Sequence, residues 1–209
     1  MFLIPITALV VIVYYVKKYR NAAFDNKLSP LSMSINQTRK DLIFLSNDER
    51  EKYLFEISQM HDVNIIVWFN NDKKHLEEQI SPDFPNVKVY LYTSFSPEAI
   101  NPNIPLVFWS RHPLASVEDI TMDKLNNIYL LIGMISIDDE LIRYFGGERI
   151  KNLISKLGHK EGEILEHSII SSSIRRAQEE LDKKVDNPVS ANSASDWFIL
   201  NLNPSDKTE

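Results

Sequence analysis

The chain has 209 residues, 44% hydrophobic and 25% charged, with a formal net charge of −6. That length suits one globular domain after a separate N-terminal segment, and the composition is that of a chain able to bury a core. It has no cysteine, which excludes disulfides, thiol nucleophiles and Cys-ligated zinc.

Residues 1–16 carry no charge and read as a transmembrane anchor, closed at once by Lys17, Lys18 and Arg20. The span is a little short of the ~20 residues a bilayer core asks for, and Tyr14, Tyr15 and Tyr19 suit its interface. A cleaved signal peptide would put its basic residues first and small residues after, and this order is reversed. The positive-inside rule then predicts an N-terminus outside and a domain on the cytoplasmic face, as a single-pass protein of the bacterial inner membrane.

Residues 17–40 form a basic juxtamembrane linker, with six basic residues (Lys17, Lys18, Arg20, Lys27, Arg39, Lys40) against Asp25 alone. Its expected partner is anionic lipid, with a solvated tether as the plainer alternative. Asn36-Gln37-Thr38 matches a glycosylation acceptor that a cytoplasmic linker would not use. From Asp41 onward 17 basic residues face 28 acids, a formal −11, which disfavours nucleic acid as a partner.

Residues 41–135 read as an α/β domain. Leu42–Leu45 is a short apolar strand candidate, and Ser46-Asn47-Asp48-Glu49 has capping-box spacing for a helix reaching Met60. Tyr53, Leu54, Ile57 and Met60 share one face of it, with Glu49–Lys52 in the first turn. Strands are predicted at 64–69, 87–92, 105–109 and 128–133, with helices at about 71–80 and from Ser116. Strands alternating with helices imply a small, mostly parallel sheet flanked by helices.

The last third is predicted helical. Ser136-Ile137-Asp138-Asp139 caps a helix to Phe145, Gly146-Gly147 breaks it, and a second helix runs from Glu148 to about Leu157, closed by Gly158. After a turn at Glu161-Gly162, an amphipathic helix spans 168–185 with Ile169, Ile170, Ile174, Ala177 and Leu181 on one side. The tail, 186–209, is polar apart from Trp197-Phe198-Ile199-Leu200, which either docks on the domain or binds a partner.

Chemistry-bearing patterns are sparse. The five glycines make no phosphate-binding loop, and no two of the five histidines have the i, i+4 spacing of a helical zinc pair. No catalytic, cofactor or metal residue is therefore assigned, and the chain is expected not to be an enzyme. Asp138, Asp139 and Glu140 are better explained by a helix macrodipole than by a cation. Arg111-His112, with Thr93 and Ser94 at a neighbouring strand end, lie where an open α/β sheet would hold a small molecule or nucleotide, a structural loop being the plainer reading of Arg111-His112.

The runs SIDDELIRYFGGERIKNLISKLG (136–158) and ILEHSIISSSIRRAQEEL (164–181) resemble SecA, the motor ATPase of bacterial preprotein translocation. In that family a similar stretch closes the second nucleotide-binding domain and begins the long scaffold helix. The family's arginine-rich helicase motif should lie just upstream, where this chain has LNNIYLLIGMI, with no arginine. The resemblance thus implies a shared subdomain without ATP hydrolysis, at residues 136–185. It points to a non-catalytic accessory protein that meets Sec translocation components through Phe145, Arg149, Ile150, His167, Ile174 and Gln178. For Phe145, Ile150 and Ile174 singly, a core role is the plainer expectation. The alternatives are a ligand-sensing module using Thr93, Ser94, Arg111 and His112, and a degenerate remnant of a longer motor.

Overall fold

The computed structural model describes residues 39–80, 82–125, 131–156 and 164–202. Among them no helix is long and apolar enough to cross a membrane. The expected anchor, most of the linker, Gly158, the 161–162 turn and the first three residues of the strand expected at 128–133 lie outside the described residues.

Among the described residues five strands form one sheet, flanked in sequence by seven helices: β1 Lys40–Phe44, α1 Asn47–Met60, β2 Val63–Val67, α2 Asn70–Gln79, β3 Val87–Leu91, β4 Leu106–Phe108, α3 Ala115–Asp123, β5 Leu131–Ser136, α4 Glu140–Tyr144, α5 Gly147–Lys156, α6 Ser168–Lys184 and α7 Ala194–Asn201. The sheet order is β1-β5-β4-β2-β3 and every neighbouring pair is parallel. Parallel strands covered on both faces need continuous apolar runs, and β2 and β4 are buried along their whole length. Leu165 extends the β1 edge by exchanging both backbone hydrogen bonds with Ile43, at 2.8 and 3.1 Å.

The capping box opens α1: Ser46 Oγ accepts from Glu49 N at 3.2 Å, and Glu49 Oε2 accepts from Leu45 N at 3.0 Å. Leu54 and Ile57 then face the core, whereas Met60, expected on the same face, is 43% exposed at the fraying end. β5 reaches Ser136, three residues past the expected end at Gly133. Its register sets Gly133 opposite Asp41 and Ser136 opposite Phe44, so Ser136 ends a strand and does not cap a helix. Asp139 is the residue at the start of α4, and its Oδ2 accepts from Ser136 N at 3.0 Å. Gly146, at φ +97°, supplies the left-handed turn after α4.

Two further expectations are corrected, and of the two alternatives for the tail the docked one is met. Arg39 and Lys40 belong to the domain and not to a lipid-facing linker: Lys40 begins β1, and the Arg39 side chain is 8% exposed. On α6, Ile170, Ile174 and Leu181 are buried but Ile169 is 62% exposed, because it precedes Ile170 by one position and so points about 100° away. The tail folds into α7, with Trp197 2% exposed in the core.

α6 is fastened to α3 from outside. Arg175 makes a two-pronged pair with Asp119, both contacts 2.7 Å, and Asp182 caps α3 by accepting from Ser116 N and Oγ at 3.0 and 2.6 Å.

Candidate functional site

From β2 the chain moves outward to β3, and from β4 it moves the opposite way to β5. The crevice between the carboxyl ends of β2 and β4 is therefore the sheet's switch point, where open α/β folds place ligands. Trp68 and Trp109 directly follow those two strands, and Trp68 Nε1 donates to Ser110 O at 2.7 Å.

A cavity of about 250 Å³ opens on this edge. Its walls come from the start of α1 (Asn47, Arg50), Asp72 of α2, the loop 109–113, the turn into α4 and the first half of α7. Arg50 lies at its centre, 4% exposed. Its Nη1 donates to Asp139 Oδ1 at 2.7 Å and to Trp109 O at 2.9 Å, its Nη2 donates to Asn47 Oδ1 at 2.9 Å, and its guanidinium stands 4.1 Å from the Trp109 ring centre. Asp139 thus serves a buried ion pair, beyond any macrodipole role. Burial still pushes its carboxyl above the ordinary range, with Arg50 opposing. Burial likewise raises Asp72 to about 6, with Arg50 and His75 opposing and Asp139 adding to the rise.

Behind the cavity wall lies a buried quartet of two arginines and two acids. Arg111 donates to Asp41 Oδ2 and Glu118 Oε2, both at 2.6 Å, while Arg39 reaches Asp41 Oδ1 at 3.1 Å and Glu118 Oε2 at 2.8 Å. All four side chains are at most 8% exposed. Glu118 Oε1 also accepts from His112 N at 2.8 Å. The quartet is neutral as a unit, which is how such charges tolerate burial. Gly133 leaves the space for it, since a Cβ there would collide with Asp41 Oδ1.

The residues expected to form a ligand site are not brought together as one. Thr93 and Ser94 are exposed in the turn after the edge strand β3. Arg111 is held in the quartet, and His112 is 3% exposed within a cage of Trp68, Phe69, Tyr92 and Trp197, at ring separations of 5.5 to 6.1 Å. Its Nδ1 accepts from Leu114 N at 3.0 Å, and burial depresses its pKa to about 4, so the ring is neutral.

The expected partner surface divides. Ile174 and Gln178 are 3% and 0% exposed, so they are core and not surface. Gln178 Nε2 donates to His112 O at 2.7 Å, which ties α6 to the loop after β4. Phe145, Ile150 and His167 are half-buried, and Arg149 is exposed. Residue-level reading missed Arg50 and Arg39, whose spacing looks like solvated charge. It missed Asp72 as well, which sits in a run of polar helix residues.

The chain matches no family profile. Part of it is similar to protein translocase subunit SecA of several Chlorobium species and of Chlorobaculum tepidum. The similarity is 48% identity over 50 residues in Chlorobium phaeobacteroides (strain DSM 266), and 44% over 50 residues in both Chlorobium phaeovibrioides and Chlorobaculum tepidum. Each match covers 24% of this chain and 5% of the relative, so the chain shares only a small piece of those proteins.

Proposed function

We propose that this protein is a membrane-anchored, non-catalytic SecA-like interaction module that works alongside Sec-dependent protein translocation. The observation that carries the reading is the 50-residue identity with SecA subunits, reaching 48%. The helical third sits against a parallel sheet as an integral layer, with Ile154, Leu165, Ile170, Ile174 and Leu181 all buried in the same core as β2 and β4. Such a stretch presents its outward side chains in a fixed geometry, which is what a docking surface requires. The candidates for contact are therefore Arg149, Ile169 and Arg176, which are exposed, together with the half-buried Phe145 and Ile150. The uncharged segment 1–16 followed by Lys17 and Lys18 supports attachment to a bilayer.

The test is site-specific photo-crosslinking in native membranes from positions 149, 169 and 176 of the full chain, with extraction by alkaline carbonate in parallel. The reading expects crosslinks to a Sec component from at least one position and retention in the membrane pellet. Normal expression with no Sec crosslink from any of the three positions would overturn the translocation link. Release by carbonate would overturn the anchor.

A further inference from the structure

We propose that residues 186–202 form a lid over the carboxyl-edge cavity, hinged at Asp186-Asn187-Pro188 and latched by the Trp197 ring, so that the chain's own C-terminal segment gates access to the switch point. The claim rests on the geometry of that edge and is independent of the translocation reading.

The segment covers the right place. After α6 ends at Lys184 the chain crosses the carboxyl edge of the sheet, and Ser193, Ala194, Ser195 and Phe198 supply one wall of the cavity. Trp197 sets its ring 6.1 Å from His112 in the loop after β4, while Phe198 meets Tyr144 of α4 at 5.0 Å. His112 in turn packs against Trp68 and Phe69, which follow β2, and Tyr92, which follows β3. The lid therefore closes on both sides of the switch point, and lifting it joins the cavity to the socket of Trp197 as one cleft.

The segment is also built to move as one piece. Asn201 closes it on itself: Nδ2 donates to Val189 O at 3.0 Å and Oδ1 accepts from Val189 N at 2.6 Å. Ser193 caps α7 from within, its Oγ accepting from Asp196 N at 3.1 Å. A loop whose ends are joined by its own bonds keeps its shape when it leaves the surface. Attachment to the rest of the domain is slight by comparison. Among the described residues two hydrogen bonds reach it, from Asn71 N to Asn192 O at 2.9 Å and from Asn70 Nδ2 to Asn192 Oδ1 at 3.2 Å, and no salt bridge does. α6, in contrast, is held to α3 by the Arg175–Asp119 pair and by Asp182. Trp197 and Leu202 are the buried side chains of the lid. Residues 186–190 are exposed, so the backbone there can turn without breaking a packed contact, as a lid hinge requires.

Native-state hydrogen exchange of the full chain in neutral-detergent micelles, at urea concentrations below the unfolding transition, tests the lid without any variant. Local opening exposes little surface and responds weakly to urea, whereas exchange through global unfolding responds steeply. The lid predicts one common opening for the amides of residues 197–202, at least tenfold faster than for β2 and β4 and nearly flat with urea. A latch then separates lifting from fraying of α7. The chain has no cysteine, so Asn70→Cys with Asn192→Cys gives a single disulfide in place of the 3.2 Å amide contact. In the oxidised protein the α7 amides should slow at least tenfold with β2 and β4 unchanged, and reduction should restore the original rates. Exchange of α7 in step with β2 and β4, or α7 amides that ignore the latch, would overturn the proposal.

Discussion

Gln178 on α6 donates through Nε2 to the carbonyl oxygen of His112 at 2.7 Å, across 66 residues of sequence. This bond joins the SecA-like helix to the loop at the sheet's switch point, in a region with no exposure to water. Replacing Gln178 by Leu leaves that carbonyl without the amide donor, at a cost of about 1–3 kcal/mol. Gln178→Glu should cost more, because a carboxylate would face a carbonyl oxygen with no cation of its own. Urea unfolding followed by circular dichroism checks both, and equal midpoints for wild type and Gln178→Leu would refute the assignment.

The quartet behind the cavity gives a second expectation. Removing one member of a buried ion network leaves an opposite charge uncompensated, which typically costs about 3–5 kcal/mol. Glu118→Gln should therefore unfold at markedly lower urea, since Arg39, Arg111 and the His112 amide all converge on that carboxylate. Gly133→Ala should be comparably severe without touching any charge, because the new methyl group meets Asp41 Oδ1 and the Arg39 side chain. A Gly133→Ala midpoint within experimental error of wild type would show that the quartet yields easily.

What the sequence made legible follows from the range of the signal. Strands β2 and β3 and helices α1, α2 and α6 fall within two residues of expectation because each carries its own pattern: a buried β-branched run, a cap, or a repeating apolar face. The end of β5 lies three residues past expectation, because the apolar run continues through Ile137. Register there is set by a distant partner: only Gly133 leaves room for Asp41. Arg50 was hidden for the same reason. Its first-turn position beside Glu49 and Glu51 reads as surface, and Asp139, the residue that buries it, lies 89 positions away. Tail docking was half-visible, since Trp197 announced an apolar anchor without naming the aromatic cage that receives it.

His112 and Asp72 should pull the pH dependence of stability in opposite directions. Burial depresses His112 from 6.5 to about 4, with Glu118 and Asp182 opposing. The unfolded chain therefore binds a proton that the native ring refuses, and stability is lost as pH falls from 6.5 toward 4, by about 3 kcal/mol. Asp72 is raised from 3.8 to about 6, so the native state holds the extra proton. Its contribution is present at low pH and lost as pH rises through that window, on the order of 1–3 kcal/mol. Between pH 4 and 6 the two slopes offset each other. Asp72→Asn should steepen the loss toward acid and be more stable than wild type at pH 7.5. His112→Gln should remove the acid-side loss. Thermal unfolding from pH 4 to 8 measures both, and parallel curves for the three proteins would contradict the assignment.

Trp197 should behave as the fastener of α7. Its ring is 2% exposed against His112 and Phe198, at ring separations of 6.1 and 5.3 Å. The polar attachments are weaker and more exposed: Asn71 N donates to Asn192 O at 2.9 Å, Asn70 Nδ2 donates to Asn192 Oδ1 at 3.2 Å, and Asn201 bridges to Val189. An eight-residue helix has little stability by itself, so its order depends on packing against the core, to which Trp197 contributes the largest buried ring, beside Leu202 and Phe198. Trp197→Ala should remove about 3–5 kcal/mol of local stabilisation. The loss should fall on α7 first, because the sheet core is closed by other elements. Hydrogen exchange is the discriminating measurement. Faster exchange confined to residues 192–202, with β2 and β4 amides still protected, is the expected pattern. Uniformly faster exchange through the sheet would mean that the tail is part of the cooperative core. That outcome would also make α7 an inseparable wall of the carboxyl-edge cavity, since Ser193, Ala194, Ser195 and Phe198 all line it.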